Sequence, residues 1–207
     1  MSIDRKINRI QFLTGNSLKF IAVLTMVIDH LCKIVLQWLL SNYWGTMVDN
    51  EQMSWERFQE IDNLIRFDLQ SIGTIAFPLF CFLLAEGFQH TRSKKRYIGL
   101  MLAFALISEI PFDIGFFSAY SRMEGTFPFY LKYQNVFFTL FLGLLTLVCL
   151  ERFSCESDLP VDRIKSVVLQ VLSVVLFSSI AEGIRCDYGM QGILFISAFY
   201  TVSYTHL

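Results

Sequence analysis

The chain has 207 residues, of which 54% are hydrophobic and only 17% charged, and its net charge is −1. Soluble domains run at about 45–50% apolar and about 25% charged, and a domain this small must turn much of its surface to water. A disordered chain and a soluble nucleic-acid binder are excluded, which leaves an integral membrane protein with no nucleic-acid partner.

A helix needs about 20 apolar residues to cross the bilayer core, and six stretches approach or meet that length. The first is Leu18–Leu40, interrupted only by Asp29, His30 and Lys33. Its basic start resembles a signal peptide, but the run is too long and no small-residue cleavage site follows, so it reads as an uncleaved helix. The segment 41–71 reads as a loop on the far side of the membrane. Its spacing of Phe58, Ile61 and Ile65 suits a helix lying on the interface. Then come Ile72–Phe88 with Glu86, Tyr97–Phe117 with Glu109, Pro111 and Asp113, Val136–Leu150, Ile164–Ile184 with Glu182, and a last stretch from Met190. The fold class is therefore all-α, a polytopic bundle of about six helices forming one domain over 1–207, with no internal repeat.

Basic residues orient it. Arg5, Lys6, Arg9, Lys19, Arg92, Lys94, Lys95, Arg96, Arg152, Arg163 and Lys165 fall on one side, against Arg57, Arg66, Arg122, Lys132 and Arg185 on the other. The positive-inside rule makes the N-terminus cytoplasmic. No basic residue follows the last stretch, and Ser203–Leu207 resembles translated adapter sequence. The sixth helix is thus expected to be truncated, and His206 carries no functional weight.

The five cysteines, Cys32, Cys81, Cys149, Cys155 and Cys186, show neither C-x-x-C pairing nor metal-ligand spacing. No disulfide framework and no metal is expected. Walker A, H-E-x-x-H, G-x-S-x-G and G-x-G-x-x-G motifs are absent from the sequence.

Charges inside spans cost at least about 2.5–3.5 kcal/mol each and mark function. Lys19 and His30 are eleven residues apart, three helical turns, so they share a face about 16 Å apart along the axis. Lys19 then sits at the cytoplasmic surface and His30 near mid-membrane, where an imidazole suits general-base chemistry. A histidine hydrogen-bonded between packed helices is the bland reading; three ionisable groups in one span favour function. Asp29 can orient the imidazole or pair with Lys33 four residues on.

Glu86 and His90 share a face, followed by Arg92, Lys94, Lys95 and Arg96. That run either binds phosphates or is ordinary positive-inside charge. Glu109, Asp113, Asn135, Asp187 and Tyr188 fall at the outer ends of the spans, together with Tyr133 and Glu182. Pro111 should kink its helix and free backbone carbonyls. Together these residues point to a polar cavity open to the outside.

Ordered along the chain, these stretches resemble the TraX family: Leu18-Lys19…Asp29-His30, Gly73–Phe80, Ala85–Arg92, Ile107–Asp113, Asn135–Leu140 and Asp187–Gly189. The chain is also similar to the wider integral-membrane acyltransferases, whose first helix carries a basic residue, ten residues, then a histidine. The resemblance implies an acetyltransferase that takes acetyl-CoA from the cytoplasm and uses His30 as its catalytic histidine. It further implies a pilin N-terminus or another cell-surface acceptor, in the bacterial cytoplasmic membrane. Lys19, Arg92, Lys94, Lys95 and Arg96 would hold the donor, with Glu86, His90, Glu109, Asp113, Asn135, Asp187 and Tyr188 lining the acceptor cavity. A small carrier or a pilus-assembly factor without catalysis is the alternative.

Overall fold

The computed structural model describes residues 14–155, 157 and 159–205. Arg5, Lys6, Arg9 and His206 lie outside the described residues. Six helices appear among those described: α1 (Gly15–Asp49), α2 (Trp55–His90), α3 (Lys94–Met123), α4 (Val136–Phe153), α5 (Pro160–Gly183) and α6 (Gly189–Thr205). The first five are long and apolar enough to cross a membrane. α6 is the shorter apolar helix, at 17 residues. The protein is an all-α polytopic bundle, with no named strand among the described residues and one isolated bridge, Gln134 to Cys186.

Helix starts follow from local chemistry. Thr14 accepts a hydrogen bond from the Ser17 amide at 3.2 Å, Ser54 one from Arg57, Ser93 one from Arg96 and Asn135 one from Phe137. Each side chain satisfies a backbone donor that the first turn leaves open. α5 instead begins on Pro160, whose missing N–H costs nothing at that position.

The chain divides into two compact units at Leu83/Leu84. In the first, the stretch 41–71 is not a loop. α1 continues to Asp49, α2 begins at Trp55, and only 50–54 separates them. The amphipathic face read as lying on an interface packs inward: Ile65 is buried with Cys32 and Leu40, and Phe58, Ile61 and Leu69 close around them. Wide i→i+5 turns occur at Leu31–Leu36, Leu40–Trp44 and Leu64–Leu69, a widening that recurs at functional sites. The first of them starts one residue after His30.

In the second unit α4 is central, with α3, α5 and α6 packed on it. Its buried residues include Thr139, Leu140, Leu142, Gly143, Leu144, Thr146, Leu147 and Leu150, which spread around the helix. That explains a sequence apolar on every side. α5 does the opposite: Ser166, Ser173, Ser178 and Ala181 are its buried residues, while Val161, Ile164, Val168, Val171, Leu172 and Val175 are exposed. Small residues inward and branched apolar ones outward is the pattern of a helix facing lipid. α3 runs through Pro111 as one helix.

Candidate functional site

In the first unit the polar cluster is built on one turn of α1. Asp29 is buried, and its Oδ2 lies 2.9 Å from Lys33 Nζ, one turn later. His30 Nδ1 lies 3.0 Å from the Met26 carbonyl oxygen and 3.8 Å from Asp29 Oδ2. A carbonyl can only accept, so Nδ1 carries the proton and donates it there. A neutral imidazole in that tautomer has its lone pair on Nε2. Asp29 is therefore held more closely by Lys33 than by His30, as expected of neighbours about 100° apart on a helix.

Asp29 is held from the other side by Gly73, in the Gln70–Thr74 turn that packs on the first half of α1. A Cβ at position 73 would fall 2.6 Å from Asp29 Cβ and 2.8 Å from its Cα. Oδ1 of Asp29 is buried without a hydrogen-bond partner among the described residues. Gly73 was missed as a site residue, since a lone glycine in an apolar stretch gives no sign of what approaches it. Lys19 is exposed, eleven residues before His30 on the same unbroken helical stretch, Gly15–His30.

The second unit holds two clusters at opposite ends of α6. At its start, Glu109 and Asn135 meet: Glu109 Oε2 accepts from the Asn135 backbone N–H at 3.3 Å and from its side-chain amide. That amide also donates to the Ala105 carbonyl at 2.9 Å, while Asn135 Oδ1 caps α4 at 2.9 Å. Asp113, fully buried, accepts from the Tyr130 N–H at 2.8 Å. Glu109 Oε1 and Asp113 Oδ1 have no hydrogen-bond partner among the described residues. Asp187 Oδ1 accepts from the Tyr133 hydroxyl at 3.2 Å, and its carbonyl from Thr139.

Rings of Phe112, Phe117, Tyr130 and Tyr133 stack beside this network. Burial, helped by the Asp187 carboxylate, pushes the Tyr133 phenol up to about 12. Burial likewise raises the Cys186 thiol to about 11. Tyr188, at φ 62°, lines a pocket of about 390 Å³ with Tyr133, Glu182 and Arg185.

Glu86 and His90 are not part of this cluster. Glu86 Oε1 accepts from Ser203 at 2.8 Å, and Ser203 lies about 21 Å along α6 from Gly189. His90 sits beside Glu86, its Nδ1 donating to the Glu86 carbonyl at 2.9 Å. Of the basic run there, Lys94 pairs with Glu151 and lies over the Phe88 ring at 4.5 Å. Arg92, Lys95 and Arg96 are exposed and have no ion pair among the described residues. Among the described residues, no three His, Cys, Asp or Glu side chains gather as a metal site.

The family model described as TraX protein matches residues 14–206. The chain is also 30% identical, over 180 residues, to a protein of Dichelobacter nodosus named probable fimbrial assembly protein FimC, serogroup H1. That alignment takes in 86% of this chain and 58% of the relative, so the chain spans a little over half the relative's length. No solved structure matches the chain.

Proposed function

The chain belongs to the TraX protein family, and from that premise we propose that it is an acetyltransferase of the bacterial cytoplasmic membrane. It moves an acetyl group from cytoplasmic acetyl-CoA to a pilin N-terminus or another cell-surface acceptor. The relative named for fimbrial assembly supports the link to pili. The surplus of basic residues beside one set of helix ends supports a cytoplasmic N-terminus.

The observation that carries the reading is His30, an imidazole with its Nδ1 proton given to the Met26 carbonyl, inside a helix apolar enough to cross a membrane. Its Nε2 takes the proton from the acceptor amine or hydroxyl as that atom attacks the thioester carbonyl. The carbon–sulfur bond breaks, and the imidazolium returns the proton to the leaving sulfur. Asp29 acts by position: paired with Lys33, it keeps a compensated charge next to His30 and fixes the turn that carries it.

The donor's phosphates need exposed cations. Lys19 is exposed on the same helix, about 16 Å below His30, and suits that role as a point charge. Arg92, Lys95 and Arg96 have the same chemistry, whereas Lys94 is engaged by Glu151. Acetyl-CoA binding to the purified protein in detergent tests this. Saturable binding that weakens in Lys19→Ala and survives in His30→Ala is expected. No binding by the wild type would favour an assembly factor without catalysis.

A further inference from the structure

At the end of α5 lies a cationic pocket that the acetyl-transfer reading does not use. It has a volume of about 740 Å³ and is lined by Leu131, Lys132, Gln134, Gly183, Ile184 and Arg185. No carboxylate is among these residues. Arg185 belongs to the short connection between α5 and α6 and holds φ at 54°, in the left-handed region where glycine is the residue without strain. That conformation closes α5. The Arg185 N–H donates to the Glu182 carbonyl at 3.0 Å and the Cys186 N–H to the Ala181 carbonyl at 2.9 Å, the two bonds of a Schellman cap. The segment before α4 adds two more. The Gln134 N–H donates to the Arg185 carbonyl at 3.1 Å, and the Asp187 N–H donates to the Gln134 carbonyl at 2.9 Å.

The cap and these bonds fix where the Arg185 backbone stands. The side chain so presented is exposed and makes no hydrogen bond or ion pair among the described residues. Across the pocket, Lys132 Nζ donates to Glu124 at 2.7 Å, leaving further N–H groups of its ammonium. The Glu124 bond raises the Lys132 proton affinity, and the nearby Arg185 charge lowers it in part. Two cations thus face one space, with Lys132 paired to Glu124 outside the lining and Glu182 lining the neighbouring pocket with Arg185.

We propose that this pocket, through Lys132 and Arg185, binds a phosphoryl group. The guanidinium fork supplies paired donors for two phosphoryl oxygens, and the ammonium adds a second positive charge facing them. Leu131 and Ile184 at the rim are apolar and exposed, which suits a phosphate presented at a bilayer surface as well as one from solution. Both sources share the same chemistry and separate by experiment. The site is independent of His30 and of acetyl transfer.

The test sets inorganic phosphate against chloride at equal ionic strength, with the 207-residue chain in neutral detergent. Nanodiscs with and without phosphatidylglycerol form the second arm. Arg185→Gly removes the fork and relieves the left-handed strain, so its thermal midpoint should equal or exceed that of wild type. Its phosphate affinity should fall at least tenfold, and Lys132→Gln should weaken binding as well. Saturable phosphate binding lost in Arg185→Gly supports a soluble ligand. Stabilisation by phosphatidylglycerol alone, lost in the same variant, supports a lipid headgroup. Equal binding by wild type and Arg185→Gly, or none in either arm, overturns the proposal.

Discussion

Gly73→Ala is the sharpest perturbation of the first unit. The added methyl would stand 2.6 Å from Asp29 Cβ, 2.8 Å from its Cα and 2.9 Å from its Oδ1. Carbon atoms in contact prefer about 3.5–4.0 Å, so the two segments must separate by about 1 Å. Neither side can yield cheaply, because one of the opposing atoms is backbone and the carboxylate is tied to Lys33. Overpacking of this kind costs about 1–3 kcal/mol. Gly99→Ala is the matched control: position 99 is inside α3 with nothing within 4 Å of a new Cβ, and alanine there gains about 0.5–1 kcal/mol of helix stability. Thermal unfolding in one detergent, scored beside thiol labelling of buried Cys32, reads both variants. Gly73→Ala should unfold at lower temperature and expose Cys32 to reagent, while Gly99→Ala should do neither. Equal midpoints for the two would refute the close approach of the 70–74 turn to Asp29.

Asn135→Ala should destabilise the protein by about 1–3 kcal/mol, because it removes the α4 cap and leaves the Glu109 carboxylate without its amide donor. Asn135→Asp should not rescue it: the cap returns, but a second carboxylate faces Glu109, and chemical denaturation would show the difference. Cysteine labelling should divide by environment. Cys155 is exposed and should react with maleimide near pH 8. Cys186, with its thiol raised to about 11 by burial, is neutral there and should label only as the pH climbs toward that value, since the thiolate is the nucleophile. Comparable labelling rates at pH 8 would count against the buried placement of Cys186.

The apolar helices were legible because lipid-facing and core-facing residues alike are apolar, so each span stands out as a continuous run. Their ends were less so. Lys94–Met123 extends past Tyr97–Phe117 at both ends because Ser93 caps it and polar residues continue its last turns. A hydropathy reading stops where the lipid would, not where the backbone does. The 41–71 stretch misled for a related reason. The period of Phe58, Ile61 and Ile65 indicated a helical face but not what covers it, and α1 supplies the cover.

The site divided in the same way. Lys19, Asp29, His30 and Lys33 are close in sequence on one helix, so spacing alone placed them. Glu109 and Asn135 are 26 residues apart and meet through side chains, while Glu86 bonds to a residue 117 positions away. Such pairings depend on how helices pack, and no periodicity encodes them. Arg185 carried a signal of a different kind: its left-handed backbone appears only once the α5–α6 connection is folded.

Acetyl transfer from radiolabelled acetyl-CoA in membranes carrying wild-type protein or His30→Ala tests the central claim most directly. A general base contributes about 10²–10⁴-fold, so labelling of the acceptor should fall by at least about a hundredfold in His30→Ala, with unchanged insertion and thermal midpoint. Labelling near the wild-type level in that variant would contradict a catalytic role for His30.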